Sequence, residues 1–62
     1  MKIGDRVQVN YPVDDFQNHV GIVEKIFEHD DAEKIIKKGD VKVYWPFLGK
    51  SIVFSRNSLD LV

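Results

Sequence analysis

The clearest alternation of apolar and polar side chains predicts a β-strand in the second half of the chain. Val41, Val43 and Trp45 alternate with Lys42 and Tyr44, so an extended backbone places the three apolar side chains on one face. Valine, tyrosine and tryptophan also suit a pleated, half-buried surface. We therefore expect Trp45 to belong to the core and the two intervening side chains to face outward.

Four further segments have the composition of short strands. Valines alternate with polar residues in the first, and Gly21 interrupts the apolar phase of the second, which predicts a β-bulge or sharp bend there. Arg56–Ser58 predicts a single tight turn before the last. The predicted segments are a turn and strand over Lys2–Asn10, and strands over Val20–Phe27, Ser51–Ser55 and Leu59–Val62.

The two longest connections differ in composition. Tyr11–His19, here called the early loop, contains proline, aspartates and asparagine and predicts an irregular connection between the first two strands. Glu28–Gly39 begins with acidic residues and ends with lysines, the order that a helix dipole favours. Asp30 or Asp31 is suited to cap such a helix, and the glycine to end it. We therefore predict a short helical insertion near residues 30–38.

These elements predict an all-β fold, a small five-stranded SH3-like barrel with a short helical insertion. A five-stranded oligonucleotide-binding barrel is the alternative, although it ordinarily uses longer strands. We expect one domain over residues 1–62, since a chain of this length makes at most one. Such a chain buries only about 60% of the surface that its unfolded form exposes, so its core is small. Since the sequence has no cysteine, every apolar strand face must contribute to that small core.

Charge and composition narrow the classes of function. Nine Lys and Arg against ten Asp and Glu give a net charge of −1, whereas nucleic-acid binders ordinarily carry a positive excess. The lack of cysteine suits a reducing cytoplasm, where we expect the protein. The charged start predicts no signal peptide, and no apolar stretch approaches the ~20 residues that a membrane-spanning helix requires. We therefore expect no membrane insertion.

The order of the segments resembles that of small SH3-like barrel proteins. The resemblance lies in Lys-Ile-Gly-Asp-Arg-Val-Gln-Val at the start, Val-Gly-Ile-Val-Glu-Lys-Ile, Val-Lys-Val-Tyr-Trp, and the closing Ser-Leu-Asp-Leu-Val. The chain is similar to KOW-type domains, whose second strand has a comparable Gly-x-Val stretch. It is also similar to accessory subunits of photosynthetic electron-transport complexes, such as photosystem I reaction-centre subunit IV and the variable chain of ferredoxin–thioredoxin reductase, and to small phage proteins.

The resemblance covers nearly the whole chain, but it concerns residues that form the barrel. It therefore implies a fold rather than a function. The Glu28–Gly39 segment is longer than a compact KOW hairpin needs, and the weak basicity departs from KOW domains that bind RNA.

Two regions combine aromatic and charged side chains suited to protein contact. The early loop is one, because such loops often carry function and acidic residues steer basic partners; alternatively its aspartates form turns and Phe16 anchors the loop. Around the third strand, Trp45 beside Pro46 would suit a proline-rich peptide if exposed, but its phase favours the core. The predicted partner-binding residues are Tyr11, Asp14, Asp15, Phe16, Tyr44 and Phe47.

The densest positive run consists of Lys34, Lys37, Lys38 and Lys42. These lysines are suited to contact phosphate, with Tyr44 stacking on a base. The alternative is a solvated helix end whose charge matches the dipole. Lys25 extends the run if the second and third strands pair in the required register.

Residues 28–31, together with His19, are the only cluster with metal-ligand chemistry, but they lack the spacing of a calcium loop or a zinc site. No nucleophile motif is present either. We therefore expect no metal, no cofactor and no catalytic residue.

The sequence predicts a non-catalytic protein–protein docking module, a small accessory subunit of a larger assembly. A KOW-like module that contacts nucleic acid through the four lysines is one alternative, and a decorating or stabilising protein of a phage particle is another. A protein partner is favoured over nucleic acid, and the sequence leaves the oligomeric state open.

Overall fold

The computed structural model describes residues 1–12 and 15–62, which form a five-stranded antiparallel sheet. The strands are β1 (Arg6–Val9), β2 (Gly21–Ile26), β3 (Val41–Trp45), β4 (Lys50–Phe54) and β5 (Leu59–Leu61). A 3₁₀ turn, Arg56–Ser58, precedes β5. The predicted all-β class and its five strand segments are confirmed. In the described part of the chain, no helix is long and apolar enough to cross a membrane.

The strands lie in the order β4-β3-β2-β1-β5. The first four strands form a meander of antiparallel neighbours, after which the chain crosses the sheet so that β5 pairs with β1. The Asn10 side-chain amide donates to the Asn57 carbonyl at 2.8 Å and to an Asp60 carboxylate oxygen at 3.3 Å. These bonds tie the end of β1 to the turn before β5. The order leaves β4 and β5 as the two edges of an open sheet.

β3 lies at the centre of the core. Val41, Val43 and Trp45 are each 0% exposed, and they are three of the six fully buried side chains among the described residues. Lys42 is exposed and Tyr44 half-buried on the opposite face. Full burial of an apolar side chain contributes about 1.5–3 kcal/mol, so this strand supplies a large share of the stability. The predicted core position of Trp45 is confirmed.

Gly21 is required because β2 approaches the end of β3 closely. A Cβ added at Gly21 would overlap Val43 Cγ1 and lie only 2.9 Å from Trp45 Cε3. The sequence predicts a β-bulge or sharp bend at this glycine, whereas the bulge is found further along β2, where the register with β3 shifts between Val23 and Lys25. The shift explains the irregular apolar phase of the strand, because it returns Ile26 to the core side after the bulge.

The predicted helical insertion near residues 30–38 is wrong, because this segment continues the hairpin formed by β2 and β3. Phe27 N–H donates to the Asp40 carbonyl at 2.9 Å, which extends the pairing beyond the two strands. Further out, Asp31 and Ile36 exchange both backbone hydrogen bonds, at 2.8 and 3.0 Å. Residues 28–40 are therefore called the acidic hairpin, and the turn at residues 32–35 is its tip.

Aspartate side chains hold the acidic hairpin by accepting backbone hydrogen bonds. These bonds, 2.7–3.4 Å long, run from Glu33 and Lys34 to Asp31, from Lys38 to Asp30, and from Lys37 to Asp40. Such side-chain to backbone bonds give a chain an alternative to helical hydrogen bonding. The same aspartates that suit a helix cap therefore stabilise a β-turn here.

Ile35 occupies an unfavourable backbone conformation at the tip of the acidic hairpin. Its φ is 56°, in the left-handed region that β-branched residues rarely adopt. The side chain is also 86% exposed, so it gains little from burial. Conformations of this kind cost on the order of 1–3 kcal/mol.

We predict that Ile35→Asn raises the free energy of unfolding by about 1 kcal/mol, since asparagine tolerates the left-handed region. Urea denaturation followed by Trp45 fluorescence measures the change. Ile35→Val is the matched control, because valine is equally β-branched and should leave stability nearly unchanged. A lower stability of the asparagine variant would contradict the assignment of strain.

Candidate functional site

Aromatic rings pack together where the early loop meets the ends of β3 and β4. The ring centroid of Phe16 lies 5.0 Å from that of Trp45, 5.6 Å from that of Phe47 and 5.4 Å from that of Phe54. All three contacts are edge-to-face, the geometry that aromatic quadrupoles favour. Phe16 is half-buried and thus anchors the early loop on the core.

The indole of Trp45 serves packing rather than ligand contact. Its Nε1 is buried and has no hydrogen-bond partner within the part of the chain that the structure describes. An unsatisfied buried donor costs about 1–3 kcal/mol, which the surrounding rings must offset. Because Trp45 is fully buried, the interpretation of this residue as an exposed platform for a proline-rich peptide is wrong.

Phe47 and Leu48 form the exposed part of this cluster. They are 38% and 39% exposed, and the imidazole of His19 stacks on the Phe47 ring with centroids 3.8 Å apart and planes 8° apart. The turn that carries them is fixed, since Leu48 N–H and Gly49 N–H donate to the Trp45 carbonyl at 3.0 and 2.9 Å. Two apolar side chains are therefore presented to solvent by a well-defined turn.

An open groove of about 330 Å³ runs between the early loop and this turn. Its lining is mostly apolar but includes one carboxylate and one ammonium group. The groove, here called the aromatic groove, is lined by Asp15, Phe16, Phe47, Leu48, Lys50 and Ile52. Its geometry suits an apolar side chain flanked by charged groups.

The structure brings only part of the predicted partner-binding set together. Asp15, Phe16 and Phe47 line the aromatic groove, whereas Tyr44 lies on the opposite side of β3 and Tyr11 borders a separate groove of about 280 Å³. Asp14 lies outside the described residues. Sequence reasoning missed three members of the groove, Leu48, Lys50 and Ile52. Among them only Leu48 carried a signal, as an apolar residue next to Phe47.

The predicted lysine run is divided between two surfaces. Lys42 lies on the sheet directly opposite Lys25, whose Nζ stands 4.9 Å from the centroid of the Phe27 ring. Lys34, Lys37 and Lys38 lie in the acidic hairpin, where five carboxylates outnumber three lysines. The hairpin lysines are therefore interleaved with negative charge.

The acidic hairpin also borders an open cavity of about 610 Å³, which runs along residues 25–34. Its lining contains four carboxylates and two lysines, so negative charge predominates there. Across residues 1–12 and 15–62, no group of three or more His, Asp or Glu side chains is placed to hold a metal ion.

The chain matches no known protein family, curated protein or solved structure. Support for a function therefore comes from the residues of the aromatic groove and from the fold that positions them.

We predict that Phe16→Ala lowers the free energy of unfolding by about 2 kcal/mol, because three ring contacts and part of the core are lost. Phe47→Ala should cost about 1 kcal/mol or less, since that ring is more exposed. Urea denaturation monitored by circular dichroism measures both, independently of the environment of Trp45. Equal losses in the two variants would mean that Phe47 is as much a core residue as Phe16.

Proposed function

We propose that this protein is a small SH3-like barrel that acts as a non-catalytic protein–protein docking module in a larger assembly. The fold part of the proposal is supported by the strand order β4-β3-β2-β1-β5, the bulge within β2 and the 3₁₀ turn before the last strand. Small barrels of this kind use bulged, bent strands to turn their corners. The functional part depends on the aromatic groove.

The observation that carries the docking function is the exposed pair Phe47 and Leu48 on a fixed turn. A few central residues supply most of the binding energy of an interface, and a cluster of aromatic and aliphatic side chains can provide them. The stacked His19 and the ring of Phe16 hold Phe47 in place, so little side-chain entropy is lost when a partner binds. A preorganised apolar surface of this kind favours protein contact.

The two charged groups that line the groove define the partner further. Asp15 and Lys50 both line the aromatic groove, so the complementary segment carries an apolar side chain between a basic and an acidic residue. An extended segment presents such side chains at regular spacing along a groove. The proposed partner is therefore a protein segment with mixed charge around an apolar anchor.

A crosslinking experiment followed by titration tests the docking function. A photoreactive amino acid at position 48 should capture a partner in cells of the source organism, whereas the same group at exposed position 3 should not. With the captured protein purified, Leu48→Asp should weaken its binding by at least about tenfold, because a carboxylate enters an apolar contact. Isothermal titration calorimetry provides the affinities.

Ile3→Asp is the matched control for that titration, since Ile3 is an exposed apolar residue that does not line the aromatic groove. Thermal unfolding of both variants confirms that they are folded. Equal affinities for the wild-type protein and the folded Leu48→Asp variant would exclude the aromatic groove as the docking site.

Contact with nucleic acid is the second candidate, and one observation favours it. Lys25 and Lys42 are directly paired across β2 and β3, which places two positive charges side by side. The carboxylates of the acidic hairpin oppose this function, because they repel phosphate near the other three lysines. Docking to protein is therefore favoured over nucleic-acid contact.

We predict no saturable binding to labelled single-stranded or duplex oligonucleotides at low salt, as measured by fluorescence anisotropy. Phosphate binding releases counterions, so a true nucleic-acid ligand would show an affinity that falls steeply with added salt. Binding that shows this dependence and is lost in Lys42→Glu would support the second candidate instead.

A further inference from the structure

The outward side of the sheet forms a second surface, separate from the aromatic groove. Residues that pair directly across strands point to the same side of a sheet. One row across the strands therefore consists of Arg6, Ile22, Tyr44 and Ser51, and the next of Lys25, Lys42 and Val53. These seven residues are here called the outer face.

The outer face combines an apolar centre with positive charge. Ile22 and Val53 are each 38% exposed, and Tyr44 lies beside Ile22 across β2 and β3. The outer face also has three cationic side chains. The Glu24 carboxylate lies beside it and accepts a hydrogen bond from the Ser51 hydroxyl. Like charges directly opposite each other destabilise a sheet, so the pairing of Lys25 with Lys42 weakens the isolated protein.

The acidic hairpin has the complementary composition. Ile35 is its most exposed apolar side chain, and its five carboxylates outnumber its three lysines, of which Lys34 directly precedes Ile35. Four of the carboxylates precede Ile35 in the chain: Glu28, Asp30, Asp31 and Glu33. One chain thus carries an apolar knob accompanied by negative charge and an apolar patch accompanied by positive charge.

We propose that the acidic hairpin of one molecule docks on the outer face of a second copy of this chain. Ile35 contacts the apolar centre, and the carboxylates approach the cations. The occupant is a second copy because both complementary surfaces are present on the same chain, whose net charge of −1 opposes association only weakly. A contact between two different surface patches produces either closed rings or growing chains.

Two local costs support this contact. An exposed isoleucine in a left-handed conformation destabilises the monomer, and so does a directly opposed lysine pair. Burial of Ile35 and neutralisation of Lys42 by a carboxylate would offset both costs in the associated form.

Sedimentation velocity of the full chain from micromolar to millimolar concentration tests the proposal. The mean mass of the wild-type protein should rise with concentration, and added salt should reduce the rise because exposed charge pairs are screened. Ile35→Asn and Lys42→Glu should each weaken association by about tenfold or more. Urea denaturation must show that Ile35→Asn is at least as stable as the wild type, which separates lost contact from lost folding.

A mixture of the two variants gives the sharper result. Ile35→Asn retains an intact outer face, and Lys42→Glu retains an intact hairpin, so an equimolar mixture restores one productive contact per pair. The mixture should therefore form heterodimers at concentrations at which each variant alone is monomeric. Leu48→Asp, which alters only the aromatic groove, should associate like the wild type, so failure of this proposal is distinguishable from failure of the docking function.

Two results would overturn the proposal. One is a wild-type protein that stays monomeric up to millimolar concentration. The other is association that persists unchanged in both Ile35→Asn and Lys42→Glu, which would assign the contact to another surface, such as the open edges at β4 and β5.

Discussion

The contact between Trp45 and the bare backbone of Gly21 is the constraint on which the rest of the structure depends. Only glycine allows β2 to lie so close to the end of β3, because any side chain would overlap Val43 and crowd the indole. This approach buries the largest side chain of a short chain completely. Since a domain of this size has a small core, one well-placed tryptophan determines where the remaining apolar groups pack.

The aromatic groove follows from that arrangement. Phe16 and Phe54 cover the indole through edge-to-face contacts, and Phe47 then packs on Phe16 at the margin of the core. Covering the tryptophan therefore fixes both walls of the groove, one from the early loop and one from the turn after β3. The residues that stabilise the fold also shape the surface that we propose for docking, so stability and recognition are coupled in this part of the molecule.

The sequence predicted those features that depend on local physics. Strict alternation over residues 41–45 has one simple explanation, a half-buried strand, and the structure agrees. The acidic hairpin was mispredicted because aspartates followed by lysines satisfy a helix dipole and a set of β-turn bonds equally well. Pairing of Phe27 with Asp40 decides between the two, and it is a contact between strands that no local signal reveals.

Only those residues of the aromatic groove that stand out by composition were predictable from the sequence. Aromatic residues in a long loop and after a strand indicated Phe16 and Phe47, whereas Leu48 and Lys50 join the groove only because the turn and β4 place them there. The bulge shows the same limit. A glycine and an irregular apolar phase indicated a distortion of β2. The glycine is needed for close packing against Trp45, however, and the bulge lies further along the strand.

Three groups depart from the local rules that favour a stable fold, and they differ in what compensates them. The unpaired Nε1 of Trp45 is buried among packed rings, whose contacts offset its cost. The Lys25 ammonium, opposite Lys42, has only the ring of Phe27 within the described part of the chain. Ile35 has almost no burial at all. A small domain has only a few kilocalories per mole of stability to lose. Costs that nothing within one molecule offsets, as at Lys25 and Ile35, therefore support a contact between molecules that does offset them.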